Sequence, residues 1–270
     1  MIGRSLYRGA LLAGLLCHIP AMALAKDGDC SSGDKLAAAG TVAALGHGGT
    51  LILDDGQVVT LSSIAMPPGD GALGETARAA LSAMVLGRPI ALAQVGKADR
   101  HARLPAHVFV IDGAAPSWVQ QQLVAKGLAR VQSFKETRAC VPALLAAESG
   151  ARRDRRGVWD SPDFAVRATA EPEVLSRFLD TYQIVEGEVL STGASGRRVY
   201  LNFGRRWKTD FTGVIATRDL DAFADAGIFP LKLPRRRVRL RGWLSEHDGP
   251  MMVLDHPQQI ELIEDGNKGK

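Results

Sequence analysis

Apolar and polar residues alternate over short stretches in most of this chain, and only a few segments change to a helical period. Thr41 to Leu45 and Thr50 to Leu53 read as strands, Asp54-Asp55-Gly56 supplies a tight turn, and Val58 to Ile64 reads as the returning strand. Glu75 to Val85 then places Ala79, Leu81, Met84 and Val85 at helical spacing, and Arg88 to Val95 goes back to strand alternation. Ala106 to Ile111, an Asp112-Gly113 turn, the amphipathic run Trp118 to Gly127 and a closing helix over Pro142 to Arg156 complete a five-strand, helix-capped unit.

After a mixed connector from Pro162 to Pro172 the strand signals resume. Ile184 to Leu190 alternates, Ser191 to Gly196 reads as a Gly/Ser turn, and Arg198 to Gly204 and Phe211 to Ile215 read as strands. Thr217 to Ala226 carries Leu220, Phe223 and Ala224 at helical spacing, Arg237 to Trp243 alternates again, and Met251 to Leu254 with Ile260 to Ile263 close the set. The pattern predicts a mainly β protein with helices, in two small domains. The expected boundaries are residues 26–167 and 183–265, with a linker or helix over 168–182 and a tail over 266–270.

The first 25 residues break this pattern. Arg4 and Arg8 precede an apolar run from Ala10 to Leu16, and Ala23-Leu24-Ala25 is a small-x-small cleavage site, so residues 1–25 are expected to be a secretory signal and the mature chain to begin at Lys26. A membrane anchor is the alternative, but the run falls short of the ~20 residues a spanning helix needs. A soluble periplasmic or secreted protein is the expectation. Export changes the reading of the three cysteines. Cys17 leaves with the signal, and Cys30 and Cys140 remain as an even pair in an oxidising compartment, where a disulfide is the simplest outcome and two buried thiols the alternative. The formal charge of +4, lowered to about +2 without Arg4 and Arg8, is too small to argue for a nucleic-acid partner by itself.

Several ordered segments carry a resemblance. They are Gly40-Thr41-Val42, Leu123-Val124-Ala125-Lys126-Gly127-Leu128-Ala129-Arg130-Val131, Ala146-Ala147-Glu148 before Ala151-Arg152, and Arg156-Gly157-Val158-Trp159. Over roughly Gly40 to Trp159 the chain resembles the staphylococcal nuclease (thermonuclease) family, which implies a five-stranded OB-type barrel with three helices. That family's chemistry is metal-assisted phosphodiester hydrolysis. Two aspartates and a neighbouring carbonyl bind calcium through hard oxygens, a glutamate activates water, and two arginines offset charge on the phosphate.

Position by position, the resemblance puts His47-Gly48-Gly49-Thr50 on the family's Asp-Gly-Asp-Thr, so one metal aspartate is Gly49 here. Thr60-Leu61-Ser62-Ser63-Ile64-Ala65-Met66-Pro67-Pro68 falls on Arg-Leu-x-x-Ile-Asp-x-Pro-Glu. The first arginine is thus Thr60, the second metal aspartate Ala65, the carbonyl-bearing threonine Met66 and the general base Pro68. Asp99-Arg100-His101-Ala102-Arg103 falls on Asp-x-Tyr-Gly-Arg, and Arg103 is the family catalytic position retained. No calcium or other cofactor is expected at this site, and calcium-dependent cleavage there is expected to be absent. His47 and His101, at positions flanking the cleft, offer imidazoles for a rebuilt site, without a nearby carboxylate to support them. Arg103 also has a plain reading as a turn arginine paired with Asp99. Asp54, Asp55 and Asp70 read as turn caps, Glu75 as a helix-start carboxylate, and Trp118 and Trp159 as core.

The second domain resembles another small OB-like barrel and the tails of some exported thermonuclease-like proteins. Its chemical signal is Arg235 to Arg241, where period two puts Arg237, Arg239 and Arg241 on one face and Val238 and Leu240 on the core face. Such a row is a candidate track for single-stranded nucleic acid or another polyanion, with Tyr200, Phe203, Trp207 or Trp243 as stacking partners. It is equally a solvated face that blocks edge pairing. Three function classes stay open: a non-catalytic exported module binding nucleic acid, an anionic envelope polymer or a protein partner; a divergent nuclease; and a purely structural envelope protein.

Overall fold

The computed structural model describes residues 36–263 of the chain. The signal segment, Cys30 and the tail over 266–270 lie outside the described residues.

The first unit is built from β1 (Ala37–Leu45), β2 (Leu51–Leu53), β3 (Val58–Leu61), β4 (Ile64–Ala65), α1 (Ala72–Val85), β5 (Pro89–Gln94), β6 (Arg103–Val110), β7 (Ser117–Trp118), α2 (Val119–Ala125), β8 (Arg130–Val131) and α3 (Val141–Arg153). β1 pairs antiparallel with both β2 and β5, β2 with β3, and β5 with β6. A parallel pairing of β3 with β6 closes the ring into a five-stranded barrel. For β1 to serve two neighbours it must bend, and its register slips between Ala38 and Gly40 on one side and Val42 and Ala44 on the other. Gly40 adopts φ +113 there, and a Cβ would lie 2.5 Å from Asp54 Oδ1, so glycine is the residue this bulge requires.

Val42, Leu51, Val59, Ile90, Leu92 and Val108 fill the barrel, and Leu81, Val85, Leu123, Val124, Val141 and Leu144 of the helices cover it. Each such side chain contributes about 1.5–3 kcal/mol by burial. The strand expected over Val58 to Ile64 is cut in two. Ser63 takes φ +64, its Oγ donates to the Thr137 carbonyl at 2.9 Å, and β4 leaves the barrel to pair with β8.

The second unit contains β9 (Arg167–Ala168), α4 (Pro172–Leu175), β10 (Tyr182–Glu188), β11 (Ser191–Ser195), β12 (Arg198–Asn202), β13 (Thr212–Ala216), α5 (Leu220–Asp225), β14 (Arg237–Glu246), β15 (Pro250–Leu254) and β16 (Ile260–Ile263). Its sheet runs β11-β12-β13-β15-β14-β10-β9, with β16 on β14. β10 and β11 are joined through Val189 and Leu190, whose N–H groups bond to Arg236 and Asn202 on opposite neighbours. Treated as one bent strand, they give the first barrel's connectivity again. In both units the first strand meets the second and fourth, the third runs parallel to the fifth, and a helix joins third to fourth. The sheet curls around Val199, Leu201, Phe211, Ile215, Leu240 and Leu254, an OB-like arrangement.

Ser191 to Gly196 is not the turn its composition suggests. Ser191–Ser195 pairs residue for residue with β12, and Gly196, at φ +55, turns the hairpin. The segment is exposed on the barrel's outside, so it carries no large apolar residue to mark it as a strand. Arg167 and Ala168 add a short parallel edge to β10, so the chain has joined the second sheet by Arg167. Among the described residues no helix is long and apolar enough to cross a membrane.

Candidate functional site

The mouth of the first barrel holds a cavity of about 210 Å³ lined by His47, Gly48, Thr50, Thr60, Leu61, Ile64, Met66 and Arg103. These come from the turn between β1 and β2, the end of β3, β4 and the start of β6. The lining contains no carboxylate. Gly49 is buried behind it at φ +79, and a Cβ there would sit 2.8 Å from Met66 Sδ and 3.5 Å from a Leu81 methyl. The Met66 thioether thus occupies the space that a side chain at 49 would use. Ala65 lies in the β4–β8 ladder opposite Arg130. Thr60 Oγ1 leans 3.4 Å from the Leu104 carbonyl. Pro68 is in an exposed loop, and its carbonyl lies where a Cβ of Gly74 would fall, which seats the loop directly on the first turn of α1.

Arg103 is the cleft's charged group. Its Nε donates to Asp99 Oδ2 at 2.8 Å and its Nη2 lies 2.7 Å from the same oxygen. Asp99 also accepts from the backbone N–H groups of His101 and Arg103. The Arg103 side-chain bond, with these amides, holds the Asp99 carboxyl down at about 2. Arg103 is 45% exposed, so the pair is a surface turn clasp of small net worth. His47 lines the cavity, whereas the His101 ring is engaged by Arg100 Nε at 3.1 Å.

The family's calcium can be tested against these groups. A hard cation needs six or more oxygens with carboxylates among them to offset dehydration. The cavity offers threonine hydroxyls, an imidazole and a thioether beside a guanidinium, a donor set that does not fit calcium. Among the described residues no group of three or more His, Cys, Asp or Glu side chains is placed to hold a metal ion.

Of the three turn acids Asp54 and Asp55 act on the backbone, whereas the Asp70 side chain caps nothing among the described residues. Asp54 Oδ1 accepts from Thr41 N at 3.3 Å and Asp55 Oδ1 from Gln57 N at 2.8 Å. Trp118 is buried in the core of the first barrel, and Trp159 in an apolar cluster that Ile184 of the second unit shares.

The arginine row of β14 is where the structure departs most from the sequence reading. Arg237, Arg239 and Arg241 do share a face, but their side chains are 56%, 15% and 0% exposed, because that face runs under the first barrel. Arg237 and Arg239 pair with Glu186 at 2.8 and 2.6 Å, and Arg239 also with Glu261 at 3.1 Å. Arg241 bonds Glu148 of α3 at 2.8 Å, Glu261, and the Val131 carbonyl at 3.1 Å. Burial alone would lower the Arg241 guanidinium, but the Glu148 and Glu261 carboxylates hold it above its ordinary value. As a track for a phosphate backbone the row is corrected. Its inner two guanidiniums are already matched to carboxylates and Arg241 is out of reach of solvent.

The same seam contains Arg152 with Glu261 at 3.3 Å, His256 Nε2 with Ser133 Oγ at 2.7 Å, Lys135 with Asp219 at 2.5 Å, and the apolar cluster Ala151, Val158, Trp159 and Ile184. Sequence reasoning missed Glu148, Glu186 and Glu261. The available signal was Glu148 itself, a charged residue between apolar positions of an amphipathic helix.

A barrel of this connectivity with a capping helix after its third strand is an SNase/OB-type domain. Residues 59–161 match the family model described as staphylococcal nuclease homologue, so the first domain is an SNase-like domain. No curated protein matches the chain.

Proposed function

We propose that this chain is an exported, non-catalytic SNase-like protein that works as a binding or interaction module. One observation carries the reading: the cleft at the barrel mouth is lined without a single carboxylate, and Met66 fills the space beside Gly49. Phosphodiester cleavage in this fold asks for a cation held by acids and a base to activate water. Losing the base alone costs a factor of order 10²–10⁴. Arg103 lines the cleft with its Nε and Nη2 held by Asp99, and a guanidinium without a cation or a base does not cleave a phosphodiester. Export rests on the signal-like segment before Lys26, and the two retained cysteines agree with an oxidising compartment.

The test is calcium linkage. Millimolar calcium is expected to leave the melting temperature unchanged relative to chelator, because a cation that does not bind the folded state cannot stabilise it. A specific rise with calcium, not reproduced by magnesium or salt, would sink the reading.

A further inference from the structure

The second barrel carries a groove of about 490 Å³ on a face that the first barrel does not cover. Its wall includes Gly193 of β11, Tyr200 and Asn202 of β12, Trp207 of the β12–β13 loop, and His247 and Asp248 of the β14–β15 hairpin. Along β12, Val199 and Leu201 point into the core, so Arg198, Tyr200 and Asn202 face out together.

Three features mark the groove as built for a flat ligand. Gly193 stands directly across the ladder from Tyr200, and a Cβ at Gly193 would meet nothing within 4 Å. Glycine weakens a strand interior, and here it leaves open the space beside the Tyr200 ring where a cross-strand side chain would lie. Trp207 is 59% exposed, a large apolar surface left in water, with the Lys208 ammonium 5.3 Å from its ring centroid. Arg198 and Arg205, beside these aromatics in sequence, have no side-chain partner among the described residues, whereas Arg237, Arg239 and Arg241 are all paired.

We infer that this groove binds single-stranded nucleic acid, with unpaired bases stacking on Trp207 and Tyr200, the Asn202 amide within reach of a base edge, and Arg198, Arg205 and Lys208 following the phosphates. Two rings in one groove, with cations beside them in sequence that no carboxylate neutralises, match a chain that alternates flat apolar faces with single negative charges. Duplex hides its base faces, and a polyanion without rings has no use for Trp207. The site is independent of cleavage: it stands whether or not the first barrel has lost its chemistry.

The experiment is a fluorescence titration of the full mature chain with a labelled oligothymidylate and oligouridylate of about ten residues. Duplex of equal length and polyphosphate serve as competitors, and every sample is run on a gel afterwards. The expected result is saturable binding with quenching of tryptophan emission, and competition by duplex or polyphosphate at least about tenfold weaker than by single strand. Trp207→Ala and Gly193→Leu are each expected to weaken binding about tenfold or more with unchanged melting temperature. Phe229→Ser, an exposed aromatic elsewhere, is expected to bind as the parent does. Equal binding by the Trp207 and Gly193 variants, or polyphosphate competing as well as single strand, would overturn the proposal. Shortened oligonucleotide on the gel would instead count against the non-catalytic reading and leave this one standing.

Discussion

Arg241 of the second barrel and Glu148 of the first lie 2.8 Å apart with neither side chain exposed. Glu148 also accepts from Val131 N at 2.7 Å, so one carboxylate ties α3 to its own barrel and to the neighbouring one. Removing either partner leaves a buried charge without its counterion. Glu148→Leu and Arg241→Met are each expected to cost about 3–5 kcal/mol in urea unfolding, and the double variant well under the sum. Loss of less than about 1 kcal/mol in either single variant would show that the seam does not hold in solution.

This pair also marks where the sequence was readable and where it was not. The first barrel followed from alternation, turn residues and the segments around Leu123 and Gly157, because those are local signals of strands, caps and close packing. The period of the arginine row was readable too. What covers that row was not, since a strand's alternation separates its two faces but says nothing of a helix from another domain closing over one of them. Ser191 to Gly196 failed for the opposite reason, an exposed strand with no apolar mark. Gly49, Ala65 and Pro68 came from the resemblance, which sets them at the family's carboxylate positions, and the Met66 thioether beside Gly49 needed the fold.

That packing gives a prediction about repair. Gly49→Asp asks an L-residue to adopt φ +79 with its Cβ 2.8 Å from Met66 Sδ. It is expected to lower stability by about 1–3 kcal/mol and to bring no calcium binding by calorimetry. Calcium binding by this single variant would mean that one carboxylate suffices.

Acid should weaken the first barrel through His107. Its ring is wholly buried edge-on to Trp118 at 5.3 Å, neither nitrogen has a hydrogen-bond partner among the described residues, and burial pushes it down to about 4. The unfolded chain, with an ordinary imidazole near 6.5, takes up the proton first as pH falls. Stability is therefore full above about 6.5, declines between there and about 4, and loses on the order of 3 kcal/mol. His256, also lowered by burial, adds in the same direction. Urea unfolding across this window should show a clearly smaller slope in His107→Phe, and an unchanged slope would remove His107 from the account.

Cys140 lies buried at the start of α3. A Cys30–Cys140 disulfide is proposed, closing a loop of on the order of 100 residues, with a chain-entropy contribution of at most ~4–5 kcal/mol. Thiol titration of unfolded, unreduced mature protein is expected to find no free thiol, and reduction to lower the melting temperature. Two titratable thiols before reduction would contradict the pairing.

The central claim is that this nuclease-type barrel no longer cleaves. Its most direct measurement is hydrolysis of single-stranded DNA and RNA by mature Lys26–Lys270 from a nuclease-free host, with calcium, other divalent cations or chelator, beside Arg103→Ala. The account predicts no metal-dependent cleavage in either protein. Metal-dependent cleavage that disappears in Arg103→Ala would contradict it and place a working site in the cleft.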